Sequence, residues 1–119
     1  MKKIILALLL IISTTGNAKF RQIVNIKYQT DYGWSKYYNV EVTFMMGYEL
    51  NMATRSYDYS SYNMYGVVFW RSGQATVIKL NYITCGYEAT PRCISGYYQM
   101  DGTDQDGDNW YFCLSRYCY

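Results

Sequence analysis

From Tyr38 to Leu50 the chain reads YNVEVTFMMGYEL, with an apolar or aromatic residue at every second position and mostly Asn, Glu, Thr and Gly between them. Successive side chains of a strand point to opposite faces, so this period of two predicts a β-strand with one face on a core and one in water. The run exceeds the usual strand length, and Gly47 is where a bulge or bend is expected. Upstream, Phe20, Val24, Ile26 and Tyr28 alternate with Arg21, Asn25 and Lys27, which predicts a first strand ending at Thr30. The connecting DYGWSK supplies an aspartate and a glycine where the chain must reverse, so the two strands are expected to pair antiparallel.

The same logic gives two more hairpins. YGVVFW and ATVIKL, rich in β-branched and aromatic residues, flank RSGQ, in which Gly73 is available for a positive φ. Further on, ISGYYQM is expected to pair with NWYFCLS across an aspartate-rich tip. No window of helical period is evident beyond the first eighteen residues. Closely spaced hairpins without helices predict an all-β fold: a single small antiparallel β-sandwich or barrel built from hairpins. Alternation of this kind excludes a parallel α/β sheet, whose strands are apolar on both faces.

The amino terminus follows a different pattern. Lys2 and Lys3 precede the apolar run Ile4 to Ile12, and small or polar residues lead to Gly16, Asn17 and Ala18. This is the pattern of a secretory signal peptide over residues 1–18, with residues 19–119 as the secreted domain. The apolar run falls short of the roughly 20 residues that cross a bilayer, so no stable membrane insertion is expected after cleavage. The remaining stretch of about 100 residues is the size of one domain. Of 11 basic side chains, Lys2 and Lys3 belong to the leader, so the remaining basic side chains equal the 9 acidic ones. That balance does not favour a nucleic-acid partner.

Cys85, Cys93, Cys113 and Cys118 lie in the last third of the chain, where an exported protein is expected to use them as disulfide staples. Longer loops favour a crossed pairing on entropy grounds, whereas chain proximity favours Cys85 with Cys93 and Cys113 with Cys118. The turn residues Gly86 and Pro91 tip the expectation towards the local pairing. The spacings lack the C-x-x-C knuckles of zinc ribbons or redox motifs.

The stretch DGTDQDGDNWYFC raises the question of a metal. An EF-hand register with Gly107 at position six puts Gly102 where the first oxygen ligand belongs and Cys113 where the closing glutamate belongs, so that match fails. A less regular calcium site from Asp101, Asp104, Asp106 and Asp108 stays a weak candidate. The stronger reading is a hairpin tip centred on Asp106-Gly107, which places Trp110 across from Thr103 and Phe112 across from Asp101. No cofactor is expected.

With no histidine in the chain, the usual general base and the serine triad are absent. Nothing in the sequence sets two acids, such as Glu41 and Glu49, at a glycosidase-like separation, and no phosphate-binding glycine loop is present. An enzyme is therefore not expected. The positive signal is aromatic: 16 tyrosines, with YDYSSYNMY mixing them with Ser, Asn and Asp as binding loops do. Tyr57, Tyr59, Tyr62 and Tyr65 are the candidate contact residues, and Trp34, Trp70 and Trp110 are expected to pack. The chain is thus expected to be a secreted or periplasmic non-catalytic binding module that contacts a protein or glycan. Two alternatives are an inhibitor or immunity-type protein acting on an envelope hydrolase or toxin, and a self-associating structural surface protein.

Overall fold

A computed structural model of the chain describes residues 20–86, 88–114 and 118, so the segment read as a leader lies outside the described residues. The chain is mostly strand. Seven antiparallel strands follow one another: β1 (Phe20–Thr30), β2 (Gly33–Trp34), β3 (Tyr38–Met46), β4 (Met64–Phe69), β5 (Ala75–Leu80), β6 (Gln99–Asp104) and β7 (Asn109–Cys113). Each of β3 to β7 pairs with its predecessor in the order β1-β3-β4-β5-β6-β7, and β7 then returns to β1, closing a six-stranded barrel. Closure is made by Asn25, Ile26, Lys27 and Tyr28 opposite Cys113, Phe112, Tyr111 and Trp110. Of the two architectures the pattern allows, closure selects the barrel, which leaves no long unpaired edge. The short β2 folds back antiparallel on the end of β1, with Gly33 opposite Thr30 and Trp34 opposite Gln29.

The alternating positions fill the barrel. Val24, Ile26, Val42, Phe44, Met46, Met64, Val68, Ile78, Leu80, Met100, Trp110 and Phe112 form one buried cluster. Gly66 makes room at its centre, since a Cβ there would stand 2.8 Å from the Phe112 ring. At one end Tyr28, Tyr38, Trp70 and Trp110 close the barrel as a chain of ring contacts, with centroids 5.3 to 6.4 Å apart. The Trp70 indole N–H donates to Thr76 Oγ1 at 2.9 Å, so the polar edge of that ring is satisfied as it packs.

The expectation that the strand begun at Tyr38 runs to Leu50 is corrected: it stops at Met46, and Gly47–Thr54 form a helix, α1. Gly47 is thus a helix start rather than a bulge. The Glu49 carboxylate reaches back to accept the Met46 N–H at 2.9 Å, which caps the first turn. Leu50 and Ala53, three residues apart, bury the inner side of α1. They pack with Met45, Tyr65, Val67, Ala75 and Val77 in a second cluster, on the outer face of β3, β4 and β5. This cover explains why the alternation gives way to continuous burial from Val42 to Met46.

A second short helix, α2 (Pro91–Ile94), also departs from the helix-free expectation and takes up the start of ISGYYQM, so β6 begins only at Gln99. Thr90 caps it by accepting the Cys93 N–H at 3.2 Å, and Pro91 sits in its first turn, where a missing N–H costs nothing. Disulfides join Cys85 to Cys93 and Cys113 to Cys118, the local pairing.

The second and third predicted hairpin turns carry their glycine in the left-handed region, Gly73 at φ 86° and Gly107 at φ 88°. The tip register differs from expectation by one residue, because Gly102 faces Trp110 and Met100 faces Phe112. A three-residue loop, Gln105 to Gly107, replaces the two-residue turn. Its register is set by the Asp104 carboxylate, whose Oδ1 accepts the N–H groups of Asp106 at 2.8 Å and Asp108 at 2.9 Å.

Candidate functional site

The tyrosine-rich segment leaves α1 through Arg55, a non-glycine residue at φ 55°, and returns to the barrel at Met64. Its path is tied down along its length. The Asn51 side chain imitates a strand neighbour for Tyr59, donating to its carbonyl and accepting its N–H, both at 2.9 Å. The N–H groups of Gly47 and Tyr48 donate to the carbonyls of Asn63 and Ser61 at 2.9 and 3.1 Å. The Ser60 N–H donates to the Tyr65 hydroxyl at 2.9 Å. A Cβ on Gly47 would lie 1.8 Å from the Ser60 carbonyl oxygen, so only glycine lets the loop lie against the start of α1.

The four candidate tyrosines therefore do different things. Tyr57 and Tyr62 are 98 and 73% exposed. Tyr59 is half-buried and meets the Tyr65 ring edge-to-face at 5.3 Å. Tyr65, 5% exposed, belongs to β4 and supports the loop from beneath. Burial raises the pKa of both Tyr59 and Tyr65 above the ordinary tyrosine value, and for Tyr65 the Ser60 hydrogen bond offsets part of that shift.

Beside this loop lies a cleft of about 370 Å³ lined by Asp58, Tyr59, Tyr65, Val77, Lys79, Thr103, Asp104 and Gln105. It exists because β5 and β6 pair only from Ile78 to Leu80 and diverge towards the hairpin tips. In the gap, Gln105 Oε1 accepts the Val77 N–H at 3.1 Å in place of a strand neighbour. The tertiary structure thus brings the tyrosine loop and the aspartate tip, far apart in sequence, to one cleft. Lys79, Gln105 and Asn51 were not singled out as site residues by sequence, since their roles depend on which strands diverge. A second hollow of about 340 Å³, lined by Asn51, Met52, Arg55, Ser56 and Tyr57, adjoins the same loop.

Of the four candidate calcium ligands, Asp104, Asp106 and Asp108 come within reach of one point. Asp101 does not join them: it faces Tyr111 and accepts from the Asn81 side chain at 3.1 Å. Asp104 is committed to the fold, because its Oδ2 accepts the Trp110 indole N–H at 2.9 Å while Oδ1 holds the tip. Glu49 is likewise engaged as the cap of α1, and Glu41 stands on the exposed face of β3 opposite Ile23.

Comparison with protein families, curated proteins and solved structures finds no match for this chain. The two disulfides point to an oxidising compartment as the place of folding. Among the described residues, no helix is long and apolar enough to cross a membrane.

Proposed function

We propose that the chain is a secreted or periplasmic, non-catalytic binding module that contacts a protein or glycan through its tyrosine-rich loop. The observation that carries this reading is the exposure of Tyr57 and Tyr62 on a loop whose backbone is held by Asn51, Gly47 and Tyr65. An exposed tyrosine offers a large amphipathic surface, and a loop already ordered before binding loses little further entropy when it is covered. The adjoining cleft adds Asp58, Lys79, Thr103 and Gln105 as polar partners that would orient a ligand. A leader followed by a disulfide-stapled domain supports export.

The test compares the wild-type chain with the Tyr57→Ala/Tyr62→Ala double variant, both immobilised, for retention of a polysaccharide panel and of an envelope protein fraction. Retention by the wild type and its loss in a variant with an unchanged circular dichroism spectrum is the expected result. Equal retention by the two proteins removes the loop from the function, and failure of the wild type to retain anything removes the reading.

A further inference from the structure

On the side of the barrel opposite α1, the outer face of β1 and β7 carries a lysine enclosed by aromatic rings. Lys27 pairs directly with Tyr111 across the closing ladder. Tyr37 immediately precedes Tyr38, the strand partner of Ile26, and so arrives on the other flank of Lys27. Trp34 comes from β2, opposite Gln29. The Lys27 ammonium lies 4.8 Å from the centre of the Tyr37 ring and 5.3 Å from the centres of both Trp34 and Tyr111. The arrangement is braced, since Trp34 meets Tyr111 edge-on at 6.3 Å and the Tyr111 hydroxyl donates to Gln99 Oε1. Asn109 Nδ2 donates to Gln29 Oε1 at 2.9 Å alongside.

Ring faces attract the ammonium without neutralising it, and Asp101, the acid opposite Tyr111 on β6, accepts from the Asn81 side chain. No carboxylate forms an ion pair with Lys27 among the described residues. The site therefore keeps a fixed positive charge beside an indole that is 45% exposed. A simple anion would use the ammonium and leave the indole idle, and a neutral sugar would do the reverse. A sugar ring bearing a carboxylate uses both, with its C–H face against Trp34, its carboxylate at Lys27 and its hydroxyls towards the amides of Gln29 and Asn109.

We propose that Lys27, Trp34 and Tyr111 form a binding site for carboxylated sugars, separate from the tyrosine-rich loop and independent of it. Calorimetric titration of the full chain with trigalacturonic acid, neutral galactotriose and sodium acetate tests this, with the Trp34 indole N–H followed by NMR. The expected result is saturable binding of the uronate that shifts the Trp34 signal. Lys27→Gln and Trp34→Ala should each weaken it by about tenfold or more, and Lys27→Arg should keep it. Neutral galactotriose and acetate should each bind at least about tenfold more weakly than the uronate, for want of one of the two contacts. The proposal is overturned by any of three results: no saturable uronate binding, equal affinity for galactotriose or acetate, or full affinity in a folded Lys27→Gln variant.

Discussion

The carboxylate of Asp104, 7% exposed, accepts the indole N–H of Trp110, 1% exposed, at 2.9 Å across the last hairpin. With the Asp106 and Asp108 N–H groups on its other oxygen, one side chain satisfies three donors and joins the barrel interior to the tip. Asp104→Ala removes the shared acceptor of all three and strands the buried Trp110 N–H, and should cost about 2 to 4 kcal/mol in denaturant unfolding. Asp104→Asn retains an acceptor oxygen and should cost less, about 1 to 2 kcal/mol. Equal stability of Asp104→Ala and wild type would refute this role.

Because Asp104 already serves these donors, the hydrogen bonding of the tip does not call for an ion. Millimolar calcium should leave the thermal midpoint where it is, since a ligand stabilises only by binding the native state more tightly than the unfolded chain. A calcium-dependent rise in the midpoint that disappears in Asp106→Asn/Asp108→Asn would reinstate the metal.

Gly47 and Ser60 make the contact that seats the tyrosine-rich loop, with 1.8 Å between the carbonyl oxygen and the position a Cβ would take. Gly47→Ala must push the loop away and should destabilise the fold by about 1 to 3 kcal/mol, as overpacking does. Hydrogen exchange at the Tyr59, Ser60 and Asn63 amides should accelerate more than exchange in β1. Unchanged protection in the loop would show that it is not seated there.

Alkaline titration should destabilise the fold. Tyr59 and Tyr65 hold their protons more tightly when folded, chiefly through burial, so their folded pKa values exceed the ordinary tyrosine value. Their contribution is fully present below that value and is lost as pH rises through the folded pKa. The hydrogen bond between Tyr28 and Tyr38, with burial second, moves Tyr28 in the same direction. Tyrosinate absorbance should therefore appear late in the folded chain relative to the denatured one, with stability flat below about pH 10 and falling above it. Superimposable titrations of folded and denatured chain would contradict this.

Each disulfide closes a short loop, with sequence separations of 8 and 5. Replacing Cys85 and Cys93 together with serine should cost about 2 to 3 kcal/mol on the loop-entropy account, and Cys113 with Cys118 slightly less. Native-gel mobility and the denaturant midpoint report this directly. A loss from the second pair larger than from the first would mean that its bond does more than close a loop.

How far the fold was legible follows from the range of each interaction. β1 was readable from alternation, β4 and β5 from their β-branched and aromatic residues, and the turns at Gly73 and Gly107 from their glycines, because these depend on backbone geometry within a few residues. The helix α1 was hidden: Tyr48 and Leu50 happen to continue the period of two, and the Glu49 cap and the Leu50/Ala53 pair carry the helical signal in too few residues. The one-residue shift at the aspartate tip was hidden too, since alternation does not say which side-chain oxygen will hold the turn.

The candidate site divides in the same way. Sequence picked out Tyr57, Tyr59, Tyr62 and Tyr65 as a group, yet only the folded chain separates exposed Tyr57 and Tyr62 from Tyr65, which lies under the loop. The box around Lys27 draws on β1, on β2 and the residues after it, and on β7, and no spacing rule connects these segments. By itself the order of amino acids determined where most strand segments lie and which glycines turn the hairpins, and it leaned towards the local cysteine pairing, because these are short-range consequences of backbone and loop geometry. Closure of β1 on β7, the cleft between diverging β5 and β6, and the ring-enclosed lysine were decided by tertiary structure, because each needs distant segments that meet only once the core has packed.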